Sequence, residues 1–324
     1  MRVIALEEHF VSQAFVELVR YGLGAQDAVD PSALEITNIG ESRLKHMDES
    51  GIDMQVISQV VPTFKPIPAE RQIEIAVGAN NRAARTVADR PDRFAAFAAL
   101  PTGDADAAVN ELDRAVGELG FVGGLVNGRA DGRFLDHPSL FPVLERAAAF
   151  DVPIYLHPGL PPESLRREHY KGFSPAISYA LGTAPWGWHA ETGLHVLRMI
   201  AARIFDRLPK LQIIIGHMGE MIPFMLDRAD EWLPPAAQRE GLQRSVADTF
   251  RSNFWVTTSG MFTQPPFQLP HHIIGSDHIL FSVDYPFNAN RRGRAFLDAL
   301  PISPADKAKI SHLNAERLLK LPAN

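Results

Sequence analysis

The chain contains no cysteine. It therefore has no disulfide framework, thiolate nucleophile or cysteine-ligated zinc site, and any metal must be held by His, Asp and Glu. An excess of positive charge is also missing. Thirty-two Lys and Arg face 38 Asp and Glu, and the formal net charge of −6 offers no basic field to nucleic acid or anionic lipid. Nowhere do about eighteen apolar residues run together, and the first residues read as a strand rather than as a basic segment leading into an apolar one. These absences predict a cytoplasmic protein with neither a membrane nor a nucleic-acid partner. What is present is ordinary globular material, 46% hydrophobic and 22% charged over 324 residues, enough to bury a large core without staples. A single domain spanning 1–324 is expected.

Eight short apolar, β-branched runs recur along the chain: Val3 to Leu6, Met54 to Ser58, Phe94 to Leu100, Gly123 to Val126, Pro153 to Leu156, Leu211 to Ile215, Phe254 to Thr257 and Ile279 to Val283. Between them lie stretches with helical spacing, such as Pro68 to Ala88 and Asp104 to Leu119, the second opened by Asp and stopped before Gly120. Strands alternating with helices predict a (β/α)8 TIM barrel. The competing open doubly wound sheet needs a glycine-rich turn after its first strand, where this chain has "EEHF". The longest irregular segment, about 158–188, holds Tyr170, Phe173, Tyr179, Trp186 and Trp188 and is expected to roof the site.

Catalytic groups of a barrel sit where strands end, so the residues after each apolar run are the informative ones. The first run ends in Glu7, Glu8 and His9, the fifth in "YLHPG" with His157, the sixth in "IIIGHMGE" with His217 and Glu220, and the eighth in "LFSVDYPF" with Asp284. Strand alternation sends Glu7 and His9 to the same side, into the barrel, and Glu8 outward. Charged groups inside a barrel mouth are costly unless paired or ligated, and Glu7, His9, His157 and Asp284 form an oxygen and nitrogen set suited to one divalent cation. Singly, each has an ordinary explanation, since Glu-x-His recurs by chance and strand-terminal His or Asp residues often cap a helix. Their convergence at three strand ends is what argues for a site. Elsewhere, His46, His195, His271, His272 and His278 read as structural, and His189 lies close to the roof and is left open.

On the motifs "ALEEHF", "HMDESGIDMQVIS", "RPDRFAAFAALP", "GFVGGLVNG", "PIYLHPG", "ETGLHVLRMI", "IIIGHMGEMIPFMLDR" and "ILFSVDYPF", the sequence resembles the amidohydrolase superfamily along essentially its whole length. It is most similar to the branch of metal-dependent nonoxidative decarboxylases acting on γ-resorcylate, 2,3-dihydroxybenzoate and 5-carboxyvanillate. Glu-x-His in place of His-x-His is typical of that branch. The resemblance implies Glu7, His9, His157 and Asp284 as metal ligands, His217 with Glu220 as an active-site dyad, and Arg228 and Asn127 as substrate contacts. It also implies manganese ahead of zinc or magnesium, and a homodimer or homotetramer.

The expected reaction is loss of CO2 from an ortho-hydroxybenzoate-type acid. The ring carbon bearing the carboxylate must be protonated, because direct departure would leave an unstabilised aryl carbanion. In the family scheme Asp284 is the proton donor, and His217, oriented by Glu220 three residues on at a helix start, manages the phenolic proton. Two other classes compete with this expectation: a metal-dependent hydrolase or lactonase on the same barrel, and a binding protein without turnover.

Overall fold

The structure, a computed structural model, describes residues 1–21, 35–60, 67–129 and 132–323. Every one of the eight apolar runs contributes strand: β1 (Ile4–Phe10), β2 (Met54–Gln59), β3 (Phe94–Ala96), β4 (Ala98–Ala99), β5 (Gly124–Asn127), β6 (Ile154–His157), β7 (Ile213–Ile215), β8 (Phe254–Thr257) and β9 (Ile279–Leu280). All pair in parallel, β1 to β3 in one ladder and β4 to β9 in another. Only Phe97 separates β3 from β4, and its amide donates to the Ile57 carbonyl at 3.1 Å, so the two ladders share one stave. At the other seam Leu6 bridges Ser282, and the Leu6 amide donates to the Phe281 carbonyl at 3.1 Å. The course of the strands is that of a TIM barrel.

Strand alternation sorts the core into two layers. Ile4, Leu6, Val56, Phe97, Leu125, Tyr155, Ile214 and Leu280 fill the barrel interior, while Val3, Ala5, Ile57, Val126, Leu156 and Ile215 face the helices. Ala315 and Leu319, on the last helix (Asn314–Leu319), join the interior cluster and plug the end where the strands begin. The opposite end is left to the polar residues.

The helices start where their caps dictate. Ala69–Asp89 follows Pro68, and Ala105–Gly117 is capped by Asp104, whose carboxylate accepts from the Ala107 amide. Residues 158–188 are less irregular than expected. They hold helices Glu163–His169 and Pro175–Gly182 and the start of Gly187–Ala201, the second opened by a Ser174 cap with proline at its first position. Among the described residues no helix is long and apolar enough to cross a membrane.

Candidate active site

Glu7 and His9 reach the barrel interior by a route that simple alternation does not give. Ile4 and Leu6 already point inward, so an unbroken strand would turn Glu8 and Phe10 inward after them. Instead Glu7 takes a left-handed φ of 59° and the register against β2 slips between Ala5 and Glu8, which reverses the phase. His217 (φ 48°), Glu220 (φ 52°) and Asp284 (φ 68°) are likewise left-handed. Such backbone is costly for residues with a Cβ and concentrates at functional sites. Gly216 contributes through its missing side chain, because a Cβ there would come within 3.0–3.1 Å of the Glu7 carboxylate oxygens.

The result is a compact buried cluster. Ligand atoms of Glu7, His9 and His157 lie within 4.8 Å of one another. Glu7 Oε1 is 3.5 Å from His157 Nε2, 3.9 Å from His217 Nε2 and 4.0 Å from His9 Nε2, and Asp284 Oδ1 is 3.4 Å from His9 Nε2. Yet among the described residues Glu7 Oε1 and His9 Nε2 are buried with no hydrogen-bond partner, an expensive arrangement for a carboxylate and an imidazole facing each other. Burial holds His9 down to about 4 and His157 to about 3, so both rings are neutral at pH 7 and carry a lone pair. Two neutral imidazoles and the Glu7 carboxylate grouped in this way, with Asp284 beside His9 but outside the group, fit a single divalent cation.

His217 and Glu220 meet, although not through helix spacing. The helix begins only at Ile222, and the pair sits on the left-handed turn before it, with His217 Nδ1 2.8 Å from Glu220 Oε1. Burial opposes charge on His217, but the Glu220 and Glu7 carboxylates outweigh it and push it up to about 10. Burial likewise works against the Glu220 carboxylate, and His217 and the hydrogen bonds it receives bring it down to about 2. The other Glu220 oxygen holds a third partner that the sequence left open, His189, whose Nδ1 is 2.6 Å away. The opposite ring nitrogen of His189 donates to the Ala184 carbonyl at 2.6 Å, tying the turn of His217 and Glu220 to residues 158–188. No spacing rule marks His189, which lies in the first turn of an ordinary-looking helix.

Asp284 stands at the rim with its side chain 15% exposed. Burial raises its carboxyl to about 7 against the opposing effects of His217 and of the Asn288 amide, which donates to Oδ2 at 3.1 Å. Asn127 ends β5 opposite His157, and its amide oxygen is buried without a partner among the described residues. Arg228 is not brought into the cluster. It is exposed on helix Ile222–Ala237, 3.0 Å from Glu231 and over the Trp232 ring.

Glu8 points away from the barrel axis, as expected, but not into water. It is fully buried between strand and helix layers, accepting from the Val283 amide at 2.9 Å and from Gln55 at 3.2 Å. Burial pushes its carboxyl up to about 8 despite that amide and the charge of Arg43. Arg43, itself fully buried, donates to Gln55 and to the His9 carbonyl, bracing the bulged strand from behind. His195 is a core histidine that accepts from the Leu135 amide at 2.7 Å.

A barrel carrying these donors at its C-terminal mouth has the plan of a metal-dependent amidohydrolase-type enzyme. The sequence model of the amidohydrolase family matches residues 9–321, and the chain belongs to that family. It is 41% identical to a γ-resorcylate decarboxylase of Rhizobium sp. (strain MTP-10005), covering 98% of each chain. Among solved structures, a 2,6-dihydroxybenzoate decarboxylase from Rhizobium superposes with a TM-score of 0.87 at 39% identity, with 99% of each chain covered. A dihydroxybenzoic acid decarboxylase from Polaromonas sp. JS666, with bound manganese and the inhibitor 2-nitroresorcinol, gives 0.87 at 35%, covering 100% of this chain and 98% of its own.

Proposed function

We propose that the protein is a metal-dependent, nonoxidative decarboxylase of an ortho-hydroxybenzoate-type acid, a carboxy-lyase releasing CO2. The observation that carries this reading is the pair of atoms, Glu7 Oε1 and His9 Nε2, buried without a partner among the described residues and set against His157. Glu7, His9, His157 and Asp284 would hold the ion, for which manganese is preferred and zinc or magnesium also suits the donors. When bound, it would supply positive charge to the substrate's oxygens and so favour the phenolate.

The chain's own residues do the rest. A carboxylate beside a cation is ionised, so Asp284 takes up a proton from solvent and delivers it to the ring carbon bearing the carboxylate. The bond from that carbon to the carboxylate then breaks, its electron pair restores the aromatic ring, CO2 leaves, and solvent reprotonates Asp284. His217, kept cationic by Glu220, presents Nε2–H to the negative oxygen that develops, a contribution of about 3 kcal/mol for one well-placed donor. Asn127 at the rim is read as a substrate contact. Arg228 is kept as a second contact although it stands outside the cluster, since its exposed pair with Glu231 is worth only about 0.3–0.5 kcal/mol and leaves the side chain free to turn.

The reading extends to one domain over 1–324 roofed by about 158–188, to a cytoplasmic location, and to assembly of two or four copies. Phe224 and Trp232, 79% and 63% exposed on the same helix as Arg228, support the assembly, which sedimentation at several concentrations tests. The function itself is tested by CO2 release from a panel of ortho-hydroxybenzoates before and after chelation. Release that disappears with the metal and returns on reloading supports the reading. Silence from folded, metal-loaded protein would favour hydrolysis of an ester or lactone.

A further inference from the structure

We infer that Tyr155 is a positioning residue that, with Thr257, ties down one oxygen of Glu7 so that only the other is offered to a cation. The inference rests on the metal reading above and goes further, to a residue outside the ligand set. On β6, Tyr155 and His157 are two apart and share the inward face, so the phenol lies one layer beneath the ligand. Tyr155 is fully buried among Leu6, Phe97 and Ile214, its ring edge-on to Phe97 at 5.7 Å. Phenylalanine would fill that apolar space without a hydroxyl to satisfy.

The hydroxyl has one evident task. It donates to Glu7 Oε2, and Thr257 Oγ1, 3.1 Å from the phenol oxygen, gives its single proton to the same carboxylate oxygen at 3.3 Å. Ser259 Oγ, 2.8 Å from Thr257 Oγ1, is left to donate to it and accepts from the His217 amide at 3.1 Å, so the Thr257 and Ser259 hydroxyls lead from that carboxylate oxygen to the turn of His217. Glu7 Oε2 is thereby held by two donors, whereas Oε1 has none and faces three histidines. The asymmetry is built by the protein: a carboxylate on a bulged, left-handed residue would otherwise rotate freely about its terminal bond and share both oxygens.

The test is Mn2+ binding, read as free Mn2+ by electron paramagnetic resonance while metal-stripped protein is titrated. Tyr155→Phe should bind about 10–100-fold more weakly than the parent, the usual cost of removing a partner behind a metal ligand. Thr257→Val, losing the longer bond, should fall between the two. Melting curves of both metal-free variants establish that they are folded. Parent-like affinity in folded Tyr155→Phe overturns the inference and leaves the metal reading standing. If Tyr155→Phe does not fold, Thr257→Val carries the same test, and parent-like affinity there is equally decisive. If the parent itself binds no Mn2+, or Glu7→Gln binds as well as the parent, the metal reading fails and the role of Tyr155 falls with it.

Discussion

Replacing Glu220 by Gln removes one charge and one acceptor from a carboxylate that serves two histidines. Its oxygens lie 2.8 Å from His217 and 2.6 Å from His189, both buried, and hydrogen bonds to a buried charged group contribute about 1.5–3 kcal/mol each. Glutamine can accept from one ring but turns an NH2 toward the other, so one bond is lost and about 1.5–3 kcal/mol with it. At about 2.1 cal/mol/K of unfolding entropy per residue over 324 residues, the melting temperature should fall by about 2–4 °C. The loss should depend on pH in a definite direction. His217, raised to about 10, contributes fully below its unfolded value of 6.5 and loses that contribution as pH rises toward 10. Glu220, lowered to about 2, contributes fully above 4.5 and loses it as pH falls toward 2. The difference between parent and variant is therefore greatest from about pH 4.5 to 6.5 and shrinks on either side. Denaturant unfolding of the metal-free proteins between pH 5 and 9 measures it, and turnover should drop about 10²–10³-fold in parallel. A difference that stays flat across that range, or turnover within about twofold of the parent, would refute the reasoning.

Three further outcomes follow from the same geometry. Asp284→Asn should lower turnover by at least about 10³-fold in protein that still folds, because the amide has no proton to deliver; retention of a tenth of the activity would remove Asp284 as donor. Arg228→Ala should raise KM several-fold and leave kcat nearly unchanged, as expected for a contact made equally in ground and transition states; unchanged KM would place Arg228 outside substrate binding. His195, lowered to about 3 by burial, stays neutral in the fold and protonates on unfolding. Its contribution is present above pH 6.5 and lost as pH falls below it, so His195→Gln should flatten the acid limb of stability by about 1.4 kcal/mol per pH unit. Identical acid limbs in parent and variant would contradict this.

Much of the site was legible because barrel strands announce themselves as apolar runs and catalytic groups follow them. Glu7, His9, His157, His217, Glu220 and Asp284 all stand just past such runs, and the structure gathers them at one mouth. The reason first given for Glu7 and His9 was incomplete. Period-two alternation assumes an unbroken strand, and the inward phase of Ile4 and Leu6 reaches Glu7 only through the bulge that its left-handed backbone creates. His189 was not legible, since its partnership with Glu220 spans 31 residues and depends on how the chain between them folds back. The helices inside 158–188 were hidden by their length, seven and eight residues being too few to display a period, although the Ser174-Pro175 start signal was there to read.

The most direct measurement is proton NMR of the reaction run in D2O with the manganese-loaded protein and the preferred ortho-hydroxybenzoate from the panel. Protonation of the ring carbon by Asp284, itself reprotonated from solvent, predicts one deuterium at the position the carboxylate vacates and one equivalent of CO2. The acid returned intact while an ester or lactone is opened by the same preparation would contradict it.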